Sequence, residues 1–195
     1  VVSNGINSTS ERAVLLVYNL QTGSLIAEID TGAGSSSAPN GLSAPVGWDR
    51  DGNGTLDHVY AGDMLGNVWK FDLTASTSAS WGVANLGNPL FTATGPGAVV
   101  QPISSGLTVA MHPTTYKTWV FFGTGRFMTT DDVTNQAVQS LYGFVADGAS
   151  IVRDGAGANL TKRNVVFVGT ASDGRPVRAF EGQSALPLNS KGWYI

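Results

Sequence analysis

Apolar residues along this chain come in short runs of strand length, separated by glycine-rich polar turns, and no long 3.6-residue periodicity is present. Val14 to Tyr18, Val59 to Ala61, Val68 to Phe71, Thr118 to Phe122, Leu141 to Val145 and Val165 to Val168 are β-branched or aromatic runs that predict strands. Between them lie the turn pairs Thr22-Gly23, Asp51-Gly52, Asn53-Gly54, Gly66-Asn67, Asp147-Gly148 and Asp173-Gly174. Gly192-Trp-Tyr-Ile195 adds a further strand. A single helix is predicted, over Thr130 to Gln139, with Thr130, Asp131 and Asp132 available to cap its first turn.

A weak repeat runs through the strands. Val59-Tyr-Ala-Gly-Asp63, Val120-Phe-Phe-Gly-Thr124 and Val166-Phe-Val-Gly-Thr170 share one form: three strand residues, a glycine, then a small polar residue. A second strand follows each, in NVWKFDL from Asn67, SLYGFVADG from Ser140 and PVRAFEG from Pro176. VLLVYNLQTG from Val14 matches the second element without its partner. The spacing is that of propeller blades with insertions, because a small sheet cannot bury both faces unless sheets stack. The predicted fold is all-β: residues 1–195 form one segment of a modified, quinoprotein-like β-propeller. It holds about three to four blades, short of the 4–8 that close a ring, so the remaining blades are expected to be supplied from elsewhere. Gly32 to Gly41 and Thr74 to Gly82 read as Ser/Ala/Gly-rich insertions between strands.

Composition narrows the function. The 195 residues include 25 Gly, no Cys and 13% charged residues, with a formal net charge of −3. Without cysteine there is no disulfide, thiolate metal site or thiol nucleophile. Without a basic surplus nucleic acid is not an expected partner. No apolar run approaches the ~20 residues of a membrane span, and the first eleven residues lack the pattern of a signal peptide.

The sharpest chemical feature is Asp49-Arg-Asp-Gly-Asn-Gly-Thr-Leu-Asp57. Side-chain oxygens fall at loop positions 1, 3, 5 and 9 (Asp49, Asp51, Asn53, Asp57), with the Thr55 carbonyl expected at position 7. Ca²⁺ takes 6–8 oxygen ligands, and alternating residues of a tight loop supply them. Gly54 occupies the place of the EF-hand's turn glycine, but Tyr60 stands where that motif has its bidentate Glu, and strands flank the loop instead of helices. An affinity of roughly 10⁻⁶ to 10⁻³ M follows. Elsewhere the chemistry is sparse. His58 and His112 have no ligand partner at metal spacing, no Ser/His/Asp signature such as GxSxG is present, and Gly123-Thr-Gly-Arg-Phe127 reads as a turn ending a strand. The five Trp (Trp48, Trp69, Trp81, Trp119, Trp193) fit propeller packing better than a sugar platform, Trp81 in its polar loop being the one that could be exposed, and Asp63 and Asp72 are expected to accept hydrogen bonds at strand ends.

The stretch GLSAPVGWDRDGNGTLDHVYAGDMLGNVWKFDL, residues 41 to 73, resembles the calcium-loop segment of the C-terminal propeller in PilC/PilY-type proteins of type IV pili. LVYNLQTGSLIAEIDTG from Leu16, VFFGTGRFM from Val120, QSLYGFVADG from Gln139 and the final GWYI extend the likeness over nearly the whole chain. The resemblance implies a non-enzymatic protein exported to the pilus tip, outer membrane surface or extracellular space. It implies Ca²⁺ held by Asp49, Asp51, Asn53, Thr55 and Asp57, with Asn53 standing where an acidic residue is often found. It further implies partners among pilins and minor pilins, possible host surfaces, and control of pilus extension and retraction, twitching motility and adhesion. Two other readings fit a calcium-bearing propeller: a quinone-dependent dehydrogenase, and an integrin- or lectin-like binding propeller with structural calcium.

Overall fold

The structure is a computed structural model that describes residues 1–148, 150–181 and 184–195. Three sheets and a separate hairpin are built in near-sequential order. β1 (Val2–Ser3), β2 (Val14–Tyr18) and β3 (Leu25–Asp30) form the first sheet. β4 (Val46–Trp48), β5 (His58–Gly62), β6 (Asn67–Asp72) and β7 (Gly82–Val83) form the second, with β8 (Phe91–Thr92) also pairing to β6. The third has the order β12-β15-β11-β10-β9, from β9 (Thr108–Met111), β10 (Thr118–Gly123), β11 (Leu141–Val145), β12 (Leu160–Lys162) and β15 (Gly192–Tyr194). The hairpin pairs β13 (Val165–Thr170) with β14 (Pro176–Phe180).

Each repeat unit forms an antiparallel hairpin, β5–β6, β10–β11 and β13–β14. Gly182, the last residue of the third motif, lies outside the described residues. The run from Val14 does have partners: β2 lies between β1 and β3.

Strand alternation decides how the sheets stack. Along β5, Val59 and Ala61 point into a core shared with Leu15 and Ile29 of the first sheet, while Tyr60 points into a core shared with Phe122, Tyr142 and Phe144 of the third. β6 repeats this, with Trp69 and Phe71 on one side and Val68 on the other. The middle sheet is therefore buried on both faces, as in a propeller blade between its neighbours.

The turn between β5 and β6 is fixed by one carboxylate. Asp63 is fully buried. Its Oδ1 accepts the Leu65 and Asn67 amides at 2.9 and 2.8 Å. Its Oδ2 accepts Asn40 Nδ2, Asn67 Nδ2 and Trp69 Nε1 at 2.9, 2.9 and 2.8 Å. Five donors offset the cost of burying the charge.

The expected helix is corrected. The helix over Thr130 to Gln139 is one 3₁₀ turn, Thr130–Thr134. Asp132 folds back to accept the Met128 and Thr129 amides, both at 2.9 Å, and pairs with Arg126 at 2.8 Å. Those bonds hold the Asp132 carboxyl well below the usual carboxylate range, the Arg126 guanidinium first among them. The chain leaves the turn at Asn135 in extended geometry, and Val133 and Thr134 have too little helix propensity to continue it. Trp81 is half-buried: it packs on the core under the first two sheets, and its Nε1 donates to the Ala75 carbonyl at 2.9 Å.

Candidate metal site on a blade hairpin

The acidic segment is the nine-residue connection of the β4–β5 hairpin. Trp48 and His58 face each other across the register, so Asp49 to Asp57 leaves and re-enters the sheet at one place. The Asp57 amide donates to the Trp48 carbonyl at 3.0 Å, and the Leu73 amide to the Asp57 carbonyl at 2.9 Å. Leu56 lies over Gly47, where an added Cβ would sit 2.7 Å from its Cδ1. This contact anchors the second half of the loop to the sheet. Gly52 and Gly54, at φ +76° and +89°, supply the left-handed backbone that folds the first half back on itself.

Within the loop, carboxylates organise amides. Asp49 Oδ1 accepts the Gly52 and Asn53 amides at 2.8 and 3.2 Å, and its Oδ2 accepts the Gly54 amide at 2.8 Å. The bond from Gly54 leads in holding the Asp49 carboxyl below its ordinary pKa. Asp51 accepts the Asn53 amide at 3.1 Å, and the Asn53 side chain caps Thr55 through its amide at 2.8 Å. Asp57 Oδ2 accepts the Arg50 amide at 2.8 Å, closing the loop on itself. One oxygen from each of Asp49, Asp51 and Asp57 lies within 4.8 Å of the others.

Of the five predicted ligands, the structure thus gathers three carboxylates. It also places Asn53 between Asp51 and Thr55, and leaves the Thr55 carbonyl without a hydrogen bond among the described residues. Hard oxygen donors of net charge −3, with no cationic side chain bonded to them among the described residues, fit a hard divalent cation of the calcium type. Arg50, the basic residue within the loop, gives the cluster only its backbone amide.

His58 opens β5 as a strand residue and His112 lies in a turn, each as its sequence context predicts. Gly123-Thr-Gly-Arg-Phe127 ends β10 and supplies Arg126 to Asp132. Asp72 accepts the Thr74 amide and hydroxyl, at 2.9 and 2.6 Å. Asn40 has no motif around it, yet it links the blade's buried carboxylate to the segment before the loop.

Stacked, mainly antiparallel sheets of three and five strands, with an acidic, glycine-hinged hairpin loop, define a β-propeller segment. Its family follows from comparison with known proteins. Residues 1–168 match the family model of the PilY1 beta-propeller domain. Two type IV pilus biogenesis factor PilY1 homologues of Xylella fastidiosa strain Temecula1 are 34% and 38% identical, each covering 100% of this chain and 14% of the relative. The type IV pilus biogenesis factor PilY1 of Pseudomonas aeruginosa strain PAO1 is 32% identical over 100% of the chain and 20% of its own length. The crystal structure of the Pseudomonas aeruginosa PilY1 C-terminal domain superposes with a TM-score of 0.81 at 27% identity, covering 98% of this chain and 46% of that one. The chain belongs to the PilY1 β-propeller family of type IV pilus proteins, and spans 14–20% of the length of these relatives.

Proposed function

We propose that this segment is the calcium-responsive part of a type IV pilus biogenesis factor, displayed at the pilus tip or outer cell surface. There it regulates pilus extension and retraction, twitching motility and surface adhesion without catalysis of its own. The observation that carries the reading is the convergence of Asp49, Asp51 and Asp57 within 4.8 Å on a blade hairpin. Pilus biogenesis factors among the relatives supply the context.

Asp49, Asp51 and Asp57 would hold the ion, with Asn53 and the Thr55 carbonyl completing the set. Bound Ca²⁺ supplies positive charge that offsets the mutual repulsion of three carboxylates. The chain's own part is positional. Asp49 is already tied to three amides and Asp57 to one, so the loop is largely preformed, and occupancy changes its charge and rigidity more than its path. A state of the pilus machinery that prefers the charged-neutralised loop is then favoured by mass action.

Isothermal titration of the chain with Ca²⁺ is expected to show one site in the roughly 10⁻⁶ to 10⁻³ M range. At a hundred times the dissociation constant the ion should add about 2.7 kcal/mol to the unfolding free energy. Asp51→Ala should abolish both effects. A wild-type chain without heat or stabilisation, indistinguishable from Asp51→Ala, overturns calcium binding. Normal twitching at every calcium level in an Asp57→Ala strain overturns the regulatory role alone.

A further inference from the structure

A second cluster of charge lies on the same blade, and it is cationic. Between the second and third sheets is a cavity of about 340 Å³ whose walls include Arg50, His58, Tyr60, Lys70 and Lys117. These residues arrive from four places: the acidic loop, β5, β6 and the turn joining β9 to β10. Register explains the convergence. Tyr60 stands opposite Lys70, and His58 shares their face of the sheet two residues away.

The basic groups carry no ion pair within bonding distance among the described residues, although Asp72 acts on Lys70, and Asp72 and Asp57 on His58, from farther off. Among the described residues, no hydrogen bond or ion pair engages the side chains of Arg50, Lys70 or Lys117. Lys70 is half-buried, and burial, with Arg50 adding repulsion, lowers its pKa against the opposing pull of Asp72. His58 Nδ1 is buried without a partner. The Tyr60 phenol also lacks a hydrogen-bond partner among the described residues, and burial pushes its pKa up to about 12, so it is a donor at neutral pH. Asp147, on the cavity wall, is paired with Lys191 at 3.2 Å.

A charge-poor protein that leaves three cations facing one cleft, one of them half-buried, retains a desolvation cost that an anion would relieve. The donors surround the cavity from several strands instead of forming one planar fork, which suits a tetrahedral, multiply charged oxyanion better than a single carboxylate. We propose that this interblade cleft binds a phosphate-class oxyanion, either free or carried on a small molecule that fills the rest of the cavity. Two of its three cations, Lys70 and Lys117, lie outside the acidic loop, and Arg50 joins the cleft to that loop.

Titration calorimetry with inorganic phosphate tests it, at constant ionic strength in buffer stripped of divalent metals by resin. The full chain should show saturable binding. Lys70→Met, which keeps the aliphatic stem, should weaken it roughly tenfold, the loss of one charge-assisted contact. Lys117→Gln, at an exposed position, should weaken it by a smaller factor and serves if Lys70→Met fails to fold. Arg175→Gln, on the distant β13–β14 turn, should leave it unchanged. The proposal is overturned by no saturation up to about 20 mM phosphate, well past a weak millimolar site. It is equally overturned by an Arg175→Gln loss equal to that of Lys70→Met, or by malonate binding as tightly as phosphate.

Discussion

Val59-Tyr-Ala-Gly-Asp63 and Val166-Phe-Val-Gly-Thr170 are nearly the same peptide in two different environments. Both open a β-hairpin with a glycine turn. In the first, Val59, Tyr60 and Ala61 are at most 1% exposed; in the second, Val166, Phe167 and Val168 are 55–68% exposed. The β5–β6 hairpin lies between two sheets, and its turn closes on Asp63 with five donors. Thr170 gathers no such set, and the β13–β14 turn is held by the exposed Asp173–Arg175 pair at 2.6 Å. The lesson is that β-propensity and alternation form a hairpin, whereas burial on both faces depends on which sheets flank it.

Three substitution pairs sharpen this contrast. The largest effect should come from Asp63→Ala, which leaves the buried Trp69 Nε1 unpaired and takes a partner from buried Asn40 and half-buried Asn67, at a cost of about 3–5 kcal/mol. Asp173→Ala, at the matching turn, should cost far less, because an exposed ion pair contributes little. Urea denaturation of both variants measures the difference, and equal losses would dissolve the contrast.

Next come the turn glycines. Gly66 has φ +79°, and an added Cβ would meet the Ala93 and Gln101 carbonyls at 2.8 Å; Gly174 has φ +84° and open space around it. Gly174→Ala should therefore cost only the left-handed penalty of about 1–2 kcal/mol. Gly66→Ala should exceed it by about 1 kcal/mol or more, the strain of overpacking. A thermal melt in which both lose the same amount would mean that the carbonyls near Gly66 yield freely.

The smallest effect concerns the strand side chains. Val59→Ala should cost about 2 kcal/mol through lost burial and the cavity left behind, against about 0.5 kcal/mol or less for Val166→Ala. A large loss at Val166 in the chain alone would show that β13 is covered in solution.

Much of this protein was legible in one dimension. Val14–Tyr18 and Leu141–Val145 appear as strands with the bounds their apolar runs predict, because a strand's face pattern is local. The acidic loop was legible for the same reason: its ligand-type residues lie within nine positions, and Gly52 and Gly54 take the left-handed conformations their place predicts. The short 3₁₀ turn at Thr130–Thr134 was not, since Asp132 is captured by Arg126 outside the segment.

The sequence alone determined an all-β chain of repeated hairpins with one cluster of oxygen-bearing side chains, because period, turn chemistry and short-range spacing are local properties. Tertiary structure decided everything that needs residues far apart to meet. It seats Asn40 on Asp63, returns β15 between β12 and β11, buries Val59 while exposing Val166, and brings Lys70 and Lys117 to one cleft. Those outcomes depend on which sheet faces stack, and a local pattern is the same whether a face meets solvent or another blade.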